Sequence, residues 1–313
     1  MTKLISFDDI VCKSVKMQTL IETAKAFAGL DAPLLIQGET GTGKDLIAKA
    51  SHNASPRKDH LFIAINCAGL PAEDAESEMF GRLDKGIETT GFFEYANRGT
   101  VLLDGIAELS LELQAKLLRF LNDGTFRRVG EEKEHCANVR VICTSQIPLQ
   151  HYVEQGKMRE DLFHRLNVLS LTIPPLRERV EDIEPLTEIF IRQISEKLSI
   201  SVPHFNERFI QYLKNYTWAG NVRELYNALY RACSLAKNNE LVIADLNLSE
   251  QEILPVNVDQ FAGETLEQIM NKFESMVLQK FYEQYPSSRK LAARLGMSHT
   301  AIANKLKQYG IVK

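Results

Sequence analysis

Several features that define whole classes of protein are missing from this sequence. No apolar run approaches the roughly 20 residues that a membrane-spanning helix needs, and the N-terminus lacks the basic start and apolar core of a secretory signal. The five cysteines are scattered and form no Cys-x-x-Cys pair, so neither a disulfide framework nor a zinc site is expected. We also find no internal repeat and no low-complexity tract. These absences predict a cytoplasmic protein with reduced thiols and no membrane partner.

Acidic residues are missing from one end of the chain. Residues 286–313 contain six Lys or Arg and no Asp or Glu, although the 313-residue chain carries a net charge of −4. A basic end on an acidic body predicts a polyanionic partner at that end. The length predicts about two domains, and the 44% of hydrophobic residues leave ample material for a core in each.

The most informative motif is a glycine-rich loop at residues 38–45. It lies between an apolar run at 33–36 and a helical pattern at 46–50, which is the strand–loop–helix context of a phosphate-binding loop. In such a loop successive backbone N–H groups face one anion at the N-terminus of the helix. The alternative is a glycine turn followed by a solvated lysine. The predicted nucleotide-binding residues are Gly38, Glu39, Thr40, Gly41, Thr42, Gly43, Lys44 and Asp45.

Two aspartates are candidate ligands of Mg²⁺. Asp45 stands where phosphate loops usually have the Ser or Thr that meets the metal, and a carboxylate could bind it directly or through water. Asp104 ends an apolar strand pattern 60 residues after Lys44, the place of the second magnesium-holding acid in phosphate-loop proteins. The predicted cofactors are therefore ATP and Mg²⁺.

Hydrophobic periodicity divides the chain into parts. Short β-branched runs predict strands at 34–37, 61–66, 100–104, 139–144 and 168–172, alternating with helical patterns. This alternation is typical of an α/β fold with a parallel sheet between helices. We assign 1–174 to an α/β nucleotide-binding subdomain, 175–251 to a helical lid, 252–263 to a linker and 264–313 to a DNA-binding domain.

The basic C-terminal segment has the pattern of a helix-turn-helix. A short helix at 289–295, a turn at Gly296 and a second helix at 298–308 would enclose a few apolar residues and expose polar groups able to touch base edges or phosphates. A basic helical hairpin for protein contact is the alternative. The candidate DNA-binding residues are Arg289, Lys290, Ser298, His299, Thr300, Asn304, Lys305 and Lys307.

These motifs resemble, in order, those of the bacterial enhancer-binding AAA+ regulators, including their Fis-like helix-turn-helix at 288–310. The segments that carry the resemblance are 38–45, 66–68, 76–81, 99–104, 126–130, 159–167, 174–179 and 218–225. The resemblance implies an AAA+ phosphate-loop domain, a helical lid and a C-terminal DNA-binding domain.

The same resemblance assigns roles to further residues. Arg159 and Arg165 match the arginine fingers that reach a neighbouring subunit's nucleotide. Taken alone, both would be interpreted as ordinary solvated or salt-bridged arginines; the surrounding motif favours the finger role. Arg223 matches the lid arginine that senses nucleotide in the same subunit. The remaining assignments are Asn66 as the switch residue, Ser145 and Gln146 at the sensor position, and Ile10 and Val11 beside adenine, where they could instead be core.

Two departures from the family pattern bear on activity. The GAFTGA loop, with which activators grip the alternative sigma factor, is absent from the shortened segment 81–92. Gly105 stands where the family has the Glu that activates water. Loss of a general base typically costs about 10²–10⁴-fold in rate, so we expect weak ATPase activity at most. The alternative is that another carboxylate compensates; we do not expect Glu108 to do so, because it lies near the start of the next helix.

Within the family the resemblance is to regulators of aromatic amino acid genes. It implies a mainly repressing, operator-binding homodimer that responds to tyrosine or another aromatic amino acid together with ATP by higher assembly, up to a hexamer. Because the family often has an N-terminal regulatory domain and the AAA+ pattern here begins almost at Met1, we expect repression and leave contact with RNA polymerase open. The competing hypothesis is an ATP-hydrolysing machine, such as a polymerase-remodelling activator.

Overall fold

The computed structural model describes residues 4–71, 73–236, 239–248 and 265–311. The chain divides into two compact units, 1–249 and 250–313. The linker predicted at 252–263 lies outside the described residues. Within the described part, no helix is long and apolar enough to cross a membrane.

The first unit begins as an alternation of strands and helices. Its strands are β1 (Leu34–Gln37), β2 (Phe62–Asn66), β3 (Arg82–Asp84), β4 (Ile87–Thr89), β5 (Thr100–Asp104), β6 (Thr125–Arg127), β7 (Glu134–Cys136), β8 (Arg140–Ser145) and β9 (Leu169–Thr172). The helices among them are α1 (Val15–Ala28), α2 (Lys44–Asn53), α3 (Ala75–Phe80), α4 (Phe92–Tyr95), α5 (Leu111–Asp123), α6 (Leu149–Glu154) and α7 (Glu160–Leu166).

The rest of the described chain is helical. The first unit continues with α8 (Ile183–Leu198), α9 (Glu207–Asn215) and α10 (Asn221–Leu235). The second unit contains α11 (Leu266–Gln284), α12 (Ser288–Leu295) and α13 (His299–Gln308).

Five strands form one parallel sheet in the order β2-β5-β8-β1-β9. The parallel sheet predicted from sequence is thus confirmed, and each predicted strand boundary lies within one residue of the observed one. Two hairpins, β3–β4 and β6–β7, were not predicted. Their strands are three residues long, which is too short to show alternation of polar and apolar residues.

The sheet is covered on both faces because its buried strands send alternate side chains to opposite sides. Leu34 and Ile36 belong to one apolar cluster together with residues of α1 and α2. Leu35, between them, belongs to a second cluster with residues of α3 to α7. A three-layer sandwich results.

The helices α8 to α10 have an apolar core of their own. Its largest side chain is Trp218, which is fully buried and donates its indole N–H to the carbonyl of Leu213 at 2.7 Å. Trp218 is the one tryptophan of the sequence, so its fluorescence reports on this helical lid alone.

An ionic contact connects the phosphate loop with the lid. Arg177 donates two hydrogen bonds to the carboxylate of Glu39, at 2.8 and 2.6 Å. Asn221 donates its amide N–H to the same carboxylate and to the carbonyl of Thr40, both at 3.1 Å. These bonds, Arg177 first, lower the pKa of Glu39 from 4.5 to about 2. We call Glu39, Arg177 and Asn221 the lid latch.

A second arginine, Arg179, also connects the lid region to the phosphate loop. Arg179 is 3% exposed and donates to the carbonyl of Thr42 at 2.8 Å. Nearby, the Asp182 carboxylate accepts from the backbone N–H groups of Lys13 and Ser14 at 2.6 and 2.7 Å. The N-terminal segment, the phosphate loop and the lid are therefore joined at one place.

Substitution of Glu39 by Gln tests the latch. Because the pKa of Glu39 is lowered, its stabilising effect is complete above pH 4.5 and is lost as the pH falls towards about 2. The pair is partly exposed, so we expect Glu39→Gln to reduce the free energy of unfolding by about 1 kcal/mol at pH 7, with a smaller difference from wild type at pH 3. Urea unfolding followed by Trp218 fluorescence measures both.

The matched control is Glu178→Gln, which removes an ion pair to Lys16 whose two side chains are 59% and 49% exposed. We expect almost no change there. Equal effects of the two substitutions would show that the latch adds nothing beyond an ordinary surface pair.

Candidate functional site

The phosphate loop connects the end of β1 to the start of α2. Gly43 has a φ of +105° and immediately precedes Lys44, the first residue of α2. Gly41, at φ +79°, lies against the lid, where an added Cβ would come within 2.3 Å of the Gly220 carbonyl oxygen. Only glycine tolerates this combination of backbone angle and close approach. The loop thus has the predicted strand–loop–helix context.

Lys44 is the buried cation of the loop. The residue is 9% exposed, and its Nζ donates to the carbonyls of Gly38 and Glu39 at 2.7 and 3.0 Å. Burial lowers the pKa of Lys44, and the nearby carboxylates of Asp104 and Asp45 partly oppose this effect. A desolvated ammonium hydrogen-bonded to two neutral carbonyls, next to the N-terminus of a helix, fits an anion such as a phosphate group.

Polar groups from neighbouring strands meet at the same edge. Because β1, β2, β5 and β8 are parallel, their carboxyl ends all lie beside the loop, and Asn66 is in register with Asp104. The hydroxyl of Thr144 donates to the Asp104 carboxylate and accepts from the N–H of Gly105 at 3.0 Å. Thr144 was not identified from sequence, because a threonine inside a fully buried strand has the pattern of a core residue.

A cleft of about 570 Å³ lies over this edge. Predicted residues that line it are Thr40, Gly41, Gly43, Lys44, Asp45, Asn66, Asp104, Ser145, Gln146 and Arg223. Gly105 lines it as well, with no side chain to offer. The structure therefore brings most of the predicted nucleotide site together.

The apolar part of the cleft contains two aromatic residues that were not predicted. Phe190 and Tyr226 of the lid line it, with ring centroids 5.2 Å apart. Ile10 and Val11 are not among the lining residues; Ile10 packs against the sheet core and Val11 against the lid core. Their place beside adenine stays a prediction. Phe190 and Tyr226 lacked a sequence signal because aromatic residues at helical spacing usually form core.

The two candidate arginine fingers lie outside the lining of this cleft. Arg159 pairs with Asp161 at 3.0 and 2.7 Å, just before α7. Arg165, on α7, donates to the carbonyl of Leu121 at 2.7 Å. Both arginines are thus bonded to groups away from the cleft lining of their own chain, and their role in trans stays a prediction.

The metal assignment rests on two carboxylates. Asp45 and Asp104 both line the cleft. No cluster of three or more His, Cys, Asp or Glu side chains suited to a metal exists among the described residues. A site with two protein carboxylates is the kind that Mg²⁺ completes with water and phosphate oxygens.

The segment that replaces the GAFTGA loop is a fixed hairpin. Arg128, 6% exposed, donates to Glu88 of β4 at 2.7 Å and to Glu94 of α4 at 2.9 Å. The backbone of Val129 pairs with the start of β3: its carbonyl accepts from the N–H of Leu83 at 2.8 Å, and its N–H donates to the carbonyl of Gly81 at 2.9 Å. The β3–β4 hairpin is thereby held against the domain.

The second unit has the geometry of a helix-turn-helix. α12 and α13 enclose Leu291, Ala292, Ile302 and Leu306, with Leu278 of α11 covering them. The turn contains Gly296 at φ +66°. The hydroxyl of Ser298 accepts the N–H of Ala301 at 3.2 Å, so the predicted N-cap is present, and Ser298 is used for capping.

The remaining DNA-binding candidates fall into two groups. Arg289, Lys290, His299, Thr300, Asn304 and Lys307 are exposed. Lys305 is ion-paired with Glu274 of α11, which also accepts a hydrogen bond from Tyr309 at 2.6 Å. Lys305 is thus turned towards its own unit, and its charge is partly neutralised before any DNA arrives. His299 contacts Ser288 at 2.9 Å through its ring.

Comparison with known families agrees with this architecture. Residues 10–172 match the sigma-54 interaction domain, residues 177–257 the AAA+ ATPase lid domain, and residues 263–312 a helix-turn-helix domain. Crystal structures of NtrX from Brucella abortus, one in complex with ATP, superpose with a TM-score of 0.72 at 33% identity, over 96% of this chain and 69% of that chain.

Curated relatives narrow the assignment. The HTH-type transcriptional regulatory protein TyrR of Haemophilus influenzae is 64% identical over 98% of this chain and 96% of its own length. TyrR of Enterobacter agglomerans is 52% identical over 97% of this chain, which spans 60% of that longer protein. The chain therefore belongs to the sigma-54 interaction domain family of AAA+ proteins, as a TyrR-like transcriptional regulator with a C-terminal helix-turn-helix.

Proposed function

We propose that this chain is a cytoplasmic, ATP-binding and operator-binding regulator, mainly a repressor, of genes for aromatic amino acid biosynthesis and transport. Tyrosine, acting together with ATP, would change the oligomeric state of the protein and thereby its affinity for operator DNA. The observation that carries the proposal is a complete nucleotide cleft without the usual water-activating acid, in the same chain as a helix-turn-helix. The similarity to TyrR proteins supports the choice of effector.

ATP binding is supported by the charge and shape of the cleft. Lys44 is desolvated beside the helix N-terminus, and Arg223 enters the same cleft from the lid. Asp45 and Asp104 would hold Mg²⁺, whose positive charge would stabilise the negatively charged phosphate groups of ATP. The NtrX relative has been crystallised with ATP and with ADP.

Weak hydrolysis is supported by the residue after Asp104. Gly105 presents only backbone to the cleft, and its N–H is held by Thr144 at 3.0 Å. Nucleotide would then act chiefly as a ligand that favours assembly rather than as fuel. A motor that remodels polymerase would also need a mobile gripping loop, and the fixed β3–β4 hairpin does not offer one.

Assembly is supported by exposed apolar and charged groups. On α11, four apolar side chains are exposed by between 39% and 75%: Leu266, Met270, Met276 and Val277. A second copy of the chain would cover such a stripe in a homodimer. In a hexamer, Arg159 would break its ion pair with Asp161, and Arg165 its hydrogen bond to the carbonyl of Leu121. Both side chains would then turn to the nucleotide of a neighbouring subunit.

Substitution of Lys44 by Ala separates the two functions of the chain. We expect loss of ATP binding and of ligand-driven assembly, because the buried cation of the phosphate loop is gone, while operator binding by the dimer stays within about two-fold. Titration with a fluorescent ATP analogue and operator gel shifts measure these effects. Lys58→Ala, at an exposed lysine remote from the cleft lining, is the control and should change neither. A parallel loss of operator affinity in folded Lys44→Ala protein would contradict the modular arrangement.

Substitutions on α13 distinguish base contacts from phosphate contacts. We expect His299→Ala or Thr300→Ala, at the N-terminal end of the helix, to cost about 1–3 kcal/mol on the operator and little on scrambled DNA. Lys307→Ala, near the other end, should weaken binding to both duplexes and lower the salt slope by about one unit. Affinities for both duplexes at several salt concentrations provide the comparison. Equal losses on both duplexes would remove His299 and Thr300 as base readers and leave Asn304.

A further inference from the structure

Glu108 lies one tight turn after Gly105, the position at which the family has a glutamate. Residues Ile106–Glu108 form a 3-10 turn directly after Gly105. The N–H of Glu108 donates to the Gly105 carbonyl at 2.9 Å, while the N–H of Gly105 donates to Thr144 at 3.0 Å. The chain therefore folds back over Gly105 instead of leading Glu108 away from it, contrary to the expectation from sequence.

The side chain of Glu108 lies beside the space that an acid at position 105 would occupy. A Cβ added to Gly105 would be 3.5 Å from Cγ of Glu108, an ordinary van der Waals contact and its nearest neighbour. The side chain of Glu108, which starts three residues later, thus passes beside the place where the family's acid would begin. Gly105 has a φ of +76°, which other residues adopt only with strain. The turn that carries Glu108 therefore favours glycine at position 105.

Glu108 belongs to the lining of the nucleotide cleft, and its side chain is unpaired among the described residues. Glu108 lines the cleft with Lys44, Asn66 and Asp104. Its side chain makes no hydrogen bond or ion pair with the part of the chain that the structure describes. The pKa of the Cys67 thiol is raised to about 12, first by burial and then by the charges of Asp104 and Glu108. The carboxylates of Asp104 and Glu108 therefore both act on the same thiol, near the end of β5.

We propose that Glu108 is the carboxylate that orients and deprotonates the attacking water in this chain, in place of the acid missing at Gly105. This inference rests on the proposed binding of ATP. Glu108 accepts one proton from water while the water oxygen bonds to the γ-phosphorus and the bond to the bridging oxygen breaks. The electron pair of that bond stays on ADP, and the proton passes to the released phosphate.

The same geometry accounts for slow turnover. Glu108 is exposed, and no other residue in the described ranges fixes its long side chain. Much of its rotamer freedom would therefore be lost each time it positions water. The side-chain oxygen of Asn66 accepts a hydrogen bond from the N–H of Ala68 at 3.2 Å. Among the described residues, Asn66 makes no bond to the Glu108 carboxylate. Glu108 would then set how long the ATP-bound assembly persists.

The test compares Glu108→Gln with wild type in the full chain. We expect single-turnover hydrolysis of ATP to fall about ten-fold or more, with ATP affinity changed less than two-fold. A second measurement is independent of turnover. Retention of ADP in the presence of magnesium and aluminium fluoride, which together mimic the transferring phosphoryl group, should weaken about ten-fold, while ADP affinity alone stays unchanged.

Two controls sharpen the comparison. Glu112→Gln changes another exposed carboxylate, one turn further on and outside the cleft lining, and should match wild type in every measurement. Lys44→Ala should show no turnover, which sets the background from contaminating ATPases.

The outcomes separate this inference from the proposed function. Wild-type chain that binds ATP, together with Glu108→Gln that hydrolyses it and retains ADP–fluoroaluminate as wild type does, overturns the role of Glu108 and leaves the regulator intact. Turnover of wild type no higher than that of Lys44→Ala also overturns it. Failure of wild type to bind ATP overturns the proposed function itself.

Discussion

The carboxylate of Glu39 holds together the two halves between which the cleft lies. It belongs to the phosphate loop and is bound by Arg177 and Asn221 of the lid region. Because the carbonyl of Glu39 also accepts a hydrogen bond from Lys44, Glu39 connects the lid to the buried cation of the loop. Arg223, two residues after Asn221, enters the cleft from the lid for the same reason. Nucleotide that shifts the loop would therefore also shift the lid.

The surface of the second unit carries basic, polar and apolar groups in different places. The exposed basic and polar groups of α12 and α13 suit a nucleic acid, whereas Glu274 of α11 neutralises Lys305 and binds Tyr309 within the unit. The exposed apolar side chains of α11 suit a second copy of the chain. Under the proposed function, α13 would contact DNA, α11 would pair with a second copy of the chain, and the state of assembly rather than ATP turnover would carry the signal.

Much of this could be predicted from sequence because the relevant signals are local. The glycine loop, the strand that ends at Asp104 and the Ser298 cap depend on neighbours in the chain, and all three are present in the structure. What was missed depends on distant residues. Thr144 gains its role from Asp104 and Gly105 on another strand, and Phe190 and Tyr226 enter the cleft only once the lid is in place. Glu108 was discounted from its distance along the chain, which a tight turn shortens. The β3–β4 hairpin depends on Arg128, some 40 residues further on.

Sedimentation velocity of the full chain tests the central claim most directly. The protein would be examined alone, with tyrosine, with ATP and Mg²⁺, and with all three, beside Lys44→Ala under the same conditions. The account predicts a dimer in the first three cases and a larger species, up to a hexamer, when ATP and tyrosine are both present; Lys44→Ala should stay dimeric throughout. One unchanged sedimentation coefficient across all four conditions, in wild-type protein shown to bind ATP, would contradict it.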